Sequence, residues 1–319
     1  MKKVIVLGGS GFVGSSIVAK LDAAGYQVTV LTRRRESAKH LILLPKVHVM
    51  ECDLFDQKKL KGLLEGHDVV INLVGILHSS GKSSFEQIHH QLPRRLAQLC
   101  QELGIPRLLH MSALQASKSA PSQYLRSKAA GEEAVNEYSK RLHITIFRPS
   151  IVFGQHDSFF NLFANLVKLL PVIVLAKPEA KFQPIWVEDV ATCFVNAIDN
   201  TATFGKTYEL GGPQVYTFRE LIQKVMAILG TQRPIIGLND QLSYLQGFAM
   251  EFLPIKLMSR DNVRSMAVDN VTSQNRVAEL GVSLMPLEAI VPSYLVNATP
   301  RGAYDAFRSA AGRAINAKR

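Results

Sequence analysis

Val4-Ile5-Val6-Leu7-Gly8-Gly9-Ser10-Gly11-Phe12-Val13-Gly14 decides the fold. An apolar run of strand character breaks into a glycine turn, and a helix-like segment from Phe12 to Ala24 follows. Glycines at 8, 11 and 14 have the spacing of a dinucleotide-binding turn. The first permits the tight bend, the second lets backbone approach a pyrophosphate, and the third removes a side chain where helix presses on strand. The helix start offers unpaired N–H groups and a positive dipole end to phosphate. Gly8, Ser10, Gly11, Phe12, Val13 and Gly14 are therefore candidate cofactor contacts. A plain tight turn is the alternative; the strand before and the helix after favour the nucleotide site.

Outward from that turn, apolar runs alternate with helix-like stretches. Strands are predicted at Lys3–Leu7, Gln27–Leu31, Val47–Glu51, Val69–Leu73, Arg107–Met111 and Ile144–Phe147. Helices are predicted at Phe12–Ala24, Gln57–Leu64, Phe85–Leu103 and Ser122–Lys140. This alternation predicts an α/β fold, a Rossmann-type doubly wound parallel sheet covered on both faces. After Arg148-Pro149 the rhythm loosens, and a smaller mixed C-terminal lobe is expected. Short strands near Val172–Leu175 and Thr207–Leu210 mix there with helices near Val187–Asp199, Phe218–Leu229, Gln241–Phe252 and Thr272–Leu280. The expected division is a nucleotide-binding core over 1–155, a lobe over 156–300 that returns to the core and shapes a substrate pocket, and a basic tail over 301–319.

With 319 residues, 47% of them hydrophobic and 20% charged, the chain has the composition of an ordinary globular protein with room for a large core. Met1-Lys2-Lys3 runs straight into the first strand and leaves no space for a signal peptide. Phe159–Ala176, the most apolar later stretch, is broken by Asn161, Asn165, Lys168 and Pro171, and reads as a buried helix followed by a strand. Cys52, Cys100 and Cys193 are odd in number and lack metal-ligand spacing, so neither a disulfide framework nor a metal site is expected, and a cytoplasmic location is. A net charge of +11 suits nucleic acid, anionic membrane or an acidic partner. With no nucleic-acid-binding motif, the first is set aside, and scattered solvated cations plus a phosphate pocket remain the plainest account. Arg301–Arg319 carries five cations against Asp305 and can be drawn as a basic amphipathic helix. Weak peripheral contact with the inner face of the cytoplasmic membrane is the corresponding expectation, with docking of the tail against the parent domain or a frayed end as the alternative.

Chemistry gathers at predicted strand ends. Thr32-Arg33-Arg34-Arg35 follows the second strand, where an NAD site carries an acid for the ribose 2′-OH and an NADP site an arginine. Three cations and no acid predict NADP(H) over NAD(H), with Arg33 and Arg34 on the 2′-phosphate; a solvated loop is the alternative. Asp53-Leu54 ends the third strand, where the carboxylate can accept from adenine or simply make a turn. Tyr124 and Lys128 lie four apart on one helix face. There an ammonium can hold a ribose and lower a tyrosine pKa, and the tyrosine can exchange a proton with a substrate oxygen during hydride transfer. Ser112, after the fifth strand, can orient that oxygen or cap the strand. Asn72 can bond cofactor or backbone. The loop His78–Ser84 suits a lid or plain surface, and Glu188-Asp189 a helix start.

These stretches together resemble the extended or atypical short-chain dehydrogenases/reductases. Within them the chain is similar to the branch of the nucleotide-binding accessory subunit of respiratory complex I and its bacterial relatives. The likeness rests on G-G-S-G-F-V-G (8–14), C-D-L (52–54), I-N-L-V-G-I-L (71–77), H-M-S-A (110–113), Y-L-R-S-K (124–128), F-R-P-S-I-V-F-G (147–154) and F-Q-P-I-W-V-E-D-V-A (182–191). It implies Ser112, Tyr124 and Lys128 as a reductase triad, Asn72 with Val74-Gly75 along the cofactor, and Pro149 to Val152, Ile151 included, beside the nicotinamide. His89 stands near the position where extended members often place an asparagine, and reads as a packed or polar-network histidine. The twelve-residue separation of Ser112 and Tyr124 leaves little wall for a bulky sugar nucleotide. Two functions follow: a hydride-transfer oxidoreductase acting on a small carbonyl, alcohol or quinone-related substrate, or a non-catalytic nucleotide-binding accessory or assembly factor with a protein partner in a respiratory or membrane complex.

Overall fold

A computed structural model describes residues 1–79, 84–252 and 258–296. Seven strands form one parallel sheet: β1 (Lys3–Leu7), β2 (Gln27–Thr32), β3 (Val47–Glu51), β4 (Val69–Asn72), β5 (Arg107–Met111), β6 (His143–Pro149) and β7 (Lys206–Leu210). Their order is β7-β6-β5-β4-β1-β2-β3. The direction of winding reverses between β1 and β4, and the crevice outside the strand ends there is where such sheets take ligands. Val4 to Leu7 are buried on both faces, hence a continuous apolar run rather than an alternating one.

Helices cover both faces. Val4 and Val6 pack with α1 (Phe12–Ala23) and with the returning helix Val187–Ala197, while Ile5 and Leu7 pack against the Leu60, Leu64, Leu96 and Cys100 side. That second side belongs to α2 (Gln57–Leu64), α3 (Leu92–Leu103) and α4 (Gln123–Asn136). Beyond β6 come α5 (Phe159–Leu169), α6 (Val187–Ala197), α7 (Phe218–Ile228), α8 (Asp240–Met250), α9 (Arg260–Ser265) and α10 (Leu287–Leu295). A separate core, in which the rings of Phe159, Phe160, Phe163, Phe182 and Phe218 meet, holds α5, α7 and α10 together.

Three expectations change. The helix predicted over Phe85–Leu103 is π-helical from Glu86 to Gln91 before α3 begins. Pro93 has no N–H for the His89 carbonyl, and that carbonyl lies so close to Gly131 of α4 that a Cβ there would overlap it. The helix predicted over Thr272–Leu280 shrinks to one 3-10 turn, Val277–Leu280. Thr272 donates its N–H and hydroxyl to the Gln183 side chain at 2.9 Å each, and the Asn275 amide donates to the Gly211 carbonyl at 2.8 Å, so tertiary contacts claim these groups. Ser122 is the cap of α4, its hydroxyl accepting the Leu125 N–H, and the helix stops at Asn136 instead of Lys140. Ser80 to Ser83 of the supposed lid and the tail from Arg301 lie outside the described residues.

Candidate functional site

Gly8 takes φ +82°, and a Cβ on it would come within 3.1 Å of the Leu73 carbonyl carbon and 3.2 Å of the Val74 nitrogen. The bare α-carbon thus lets the turn after β1 meet the turn after β4. A Cβ on Gly14 would overlap the Gly8 carbonyl oxygen, so α1 rests directly on the turn. Gly11 opens α1 with no side-chain cap, and no acid occupies its first turn. The leading N–H groups, those of Phe12 and Val13 among them, therefore point out with their positive dipole end uncompensated.

These turns border a cavity of about 720 Å³. Gly8, Ser10, Gly11, Arg33, Arg34, Asp53, Leu54, Val74 and Gly75 line it. Arg33 and Arg34 are exposed at its wall, and neither has a carboxylate partner among the described residues. Asp53 accepts the Phe55 N–H at 3.0 Å, so it makes a turn while also facing the cavity. Phe12, Val13 and Gly14 lie behind the turn: Phe12 rests against Gly154, and Val13 packs into the core. Leu31, Thr32, Ser37, Phe55, Leu73, Ile76 and Ile88 complete the lining. Of these, Thr32 carried a sequence signal, a hydroxyl at the end of a strand ahead of an arginine run. Its Oγ1 lies 3.3 Å from Ser10 Oγ and 3.2 Å from Ser37 Oγ, tying the glycine turn to the arginine loop. The same turn borders a second cavity of about 790 Å³, lined by His40, His156, Trp186 and Tyr294; Ser112, Tyr124 and Lys128 line neither cavity.

Ser112, Tyr124 and Lys128 come together where β5 ends against α4. Lys128 is buried, and its ammonium donates to the Met111 carbonyl at 3.2 Å. A Cβ on Gly75 would lie 3.2 Å from that nitrogen, which places the ammonium against the cavity wall. Burial lowers its pKa to about 8, and Glu132 acts in the other direction. The Ser112 hydroxyl is buried with no hydrogen-bond partner among the described residues. Tyr124 departs from expectation: burial raises its phenol to about 12, and the ammonium does not lower it. Its ring packs edge-on against His89 at 5.6 Å and Phe85 at 6.1 Å. Asp261 of α9 accepts the N–H groups of Gln123 at 2.7 Å and Tyr124 at 2.9 Å, so a carboxylate from a distant helix fixes the helix start.

Two histidines complete the arrangement. His89 Nε2 accepts the Ile76 N–H at 3.0 Å, which leaves Nδ1 protonated to donate to Ser127 Oγ at 2.8 Å. Ser127 in turn donates to the Tyr124 carbonyl at 2.7 Å. Every polar atom of the ring is engaged, so His89 is a strut. His110 Nδ1 accepts from the Asn72 amide at 3.1 Å, so its buried Nε2 carries the proton and has no partner among the described residues. Asn72 Oδ1 takes the Val74 N–H at 3.2 Å; this residue shapes the β4 turn from behind the cavity. Pro149 ends β6, its carbonyl accepting the Leu114 N–H at 3.0 Å, and Ile151 packs on the edge of the second core.

A family model described as "NAD dependent epimerase/dehydratase family" matches residues 4–211, from β1 through β7. The chain belongs to the NAD dependent epimerase/dehydratase family. Within it, the chain is 33% identical over 299 residues to "NADH dehydrogenase [ubiquinone] 1 alpha subcomplex subunit 9, mitochondrial" of Arabidopsis thaliana, covering 88% of this chain and 73% of that one. To the Mus musculus protein of the same name it is 32% identical, over 89% of this chain and 77% of that one. It is also 28% identical to a ceramide reductase of Caulobacter vibrioides over 74% of each. Among solved structures, DesIV, a dTDP-glucose 4,6-dehydratase of Streptomyces venezuelae, superposes with TM-score 0.73 at 20% identity, covering 96% of this chain and 98% of that one. At such identity that likeness shows the shared fold. In this family member no group of three or more His, Cys, Asp or Glu is arranged to hold a metal ion among the described residues.

Proposed function

We propose that the chain is an NADP(H)-dependent reductase acting on the carbonyl of a small or quinone-related substrate. The observation that carries this reading is Lys128. A buried ammonium with three donors has a single backbone carbonyl as its hydrogen-bond partner and no ion pair among the described residues. Such burial is costly unless a ligand completes the shell. The unpartnered Ser112 hydroxyl calls for the same completion. The cavity wall beside them has the glycine turn, the open helix end and the free guanidinium groups that a dinucleotide with a 2′-phosphate requires.

A nicotinamide bound there supplies the hydride. The chain supplies the proton and the orientation. With its pKa raised to about 12, Tyr124 is a phenol at neutral pH, the form that donates. Its hydroxyl proton passes to the substrate oxygen as the carbonyl carbon is reduced, giving the alcohol and leaving a phenolate. Lys128, cationic and one helical turn away, stabilises that phenolate, and the Ser112 hydroxyl donates to the same oxygen.

NADPH consumption measured against aldehydes, ketones and quinones tests the reading. Tyr124→Phe is expected to lower kcat by about 10²–10⁴-fold and to leave the NADPH dissociation constant unchanged. An active Tyr124→Phe protein refutes the mechanism. A wild-type protein that binds NADPH yet oxidises none of it with any of these compounds supports the second reading, a nucleotide-binding accessory or assembly factor of a membrane complex. That reading draws on the relatives that bear the name of an NADH dehydrogenase subunit.

A further inference from the structure

Helix α8 has its polarity reversed. Its buried positions are Ser243 and Gly247, while Leu242, Leu245 and Phe248 are 48, 59 and 40% exposed, and Phe252, just past the helix, is 75% exposed. An amphipathic helix of a globular protein turns such residues inward. Spacings of three, three and four align the four as one stripe, and the Phe248 and Phe252 rings meet edge-on at 5.1 Å. The reversal is built into the packing. A Cβ on Gly247 would lie 3.1 Å from the Arg260 nitrogen, and the Ser243 hydroxyl accepts the Lys177 N–H at 3.0 Å, so the inner side admits small residues only. The adjoining ribbon extends the stripe. Gln246 donates to the Val174 carbonyl at 3.1 Å, and Val174 with its strand partner Ile236 is 45 and 53% exposed respectively.

Charge around this face is one-sided. Asp240 and Glu251, the acids of the helix and its C-cap, are paired with Lys177 and Arg260. Arg264 meets Tyr244, its guanidinium donating to the hydroxyl at 3.0 Å, and Arg233 donates to the Val167 carbonyl at 3.2 Å. Lys168, next to the exposed Leu169, has no ion-pair partner among the described residues. An apolar stripe of this size with an uncompensated positive rim is complementary to lipid phosphates above an acyl boundary. We propose that α8 and Phe252 form a docking surface for an anionic phospholipid bilayer. The surface stands one helix away from the reactive tyrosine, because α9 follows α8 and its Asp261 holds the Tyr124 N–H. Docking is independent of hydride transfer.

Sedimentation of the full-length protein with vesicles of phosphatidylcholine, alone or mixed with phosphatidylglycerol, tests the proposal. The wild type is expected to pellet with the mixed vesicles and far less with the neutral ones. The double variant Leu242→Ser/Leu245→Ser changes two side chains that are 48 and 59% exposed, so its NADPH affinity and thermal midpoint stay put while its vesicle affinity falls at least roughly tenfold. A wild type that remains in the supernatant with mixed vesicles overturns the proposal and assigns the stripe to a protein partner. A double variant that pellets like the wild type also overturns it, since the intact basic tail then carries the binding. Equal pelleting with both vesicle types refutes the charge complementarity.

Discussion

His89 and His110 flank Lys128, and the folded chain holds both neutral. Burial first, and then the Lys128 ammonium, lowers His89 to about 2 and His110 to about 3. In the unfolded chain each imidazole titrates near pH 6.5. Between those values the unfolded state binds more protons, so the stability these residues contribute is complete above about pH 6.5 and falls as the pH falls. The expected slope is about 1.4 kcal/mol per pH unit for each histidine. Urea midpoints should therefore drop steeply between about pH 7 and about pH 5, and His89→Gln should lower the slope by about 1.4 kcal/mol per pH unit. Identical midpoints at the two pH values would contradict the burial of both rings. The same residues mark what a sequence can reveal at this scale. The spacing of Tyr124 and Lys128 was legible. The direction of the Tyr124 shift was not, because it depends on how deeply the ring is packed and on an ammonium that meets the Met111 carbonyl.

Arg107 opens β5 and shows how elements far apart in sequence are joined. Its guanidinium donates to the carbonyls of Ala197 and Ile198 at the end of α6, to the His143 carbonyl of β6, and to the hydroxyls of Thr145 and Thr203, at 2.7–3.3 Å. A cation at a helix C-terminus complements the dipole and satisfies carbonyls that lack intrahelical partners. Arg107→Met keeps the volume and removes every donor, so a loss of about 3 kcal/mol is expected in urea unfolding. A change within roughly 0.5 kcal/mol would show that water replaces those bonds without cost. Strands such as β1 and β4 were legible because each is an apolar run between turn residues, and burial on both faces writes that pattern directly, whereas the edge strand β3 buries only Val47 and was legible from its alternation. The π-helical turn was not: Pro93 is visible in the sequence, but the close approach of Gly131 from another helix is not. Nor were α9 and α10, short helices held by tertiary contacts. Asp261 caps α4 across 137 residues, a distance no local pattern records.

At the scale of the whole molecule, the +11 charge has more than one home. Arg33 and Arg34 stand unpaired at the dinucleotide cavity, Arg264 meets Tyr244 of α8, Arg233 reaches the Val167 carbonyl beside Lys168, and five cations fall in the segment 301–319. Among the described residues, no helix is long and apolar enough to cross a membrane. The parallel sheet serves function by bringing the β1, β2, β3 and β4 turns to one edge and standing α4 behind them. Both readings of function require that this edge bind a nicotinamide dinucleotide, and the proposed reductase takes NADP(H). Each charge-assisted contact to the 2′-phosphate is expected to contribute about 1.5–3 kcal/mol, enough for at least a roughly tenfold preference over the unphosphorylated cofactor. Calorimetric titration of NADPH and NADH into the wild type and into an Arg33→Ala/Arg34→Ala/Arg35→Ala variant therefore tests the central claim most directly. NADPH should bind the wild type at least roughly tenfold more tightly than NADH, and the triple variant should lose that difference while keeping its NADH affinity. Equal wild-type affinities, or tighter binding of NADH, would contradict the account.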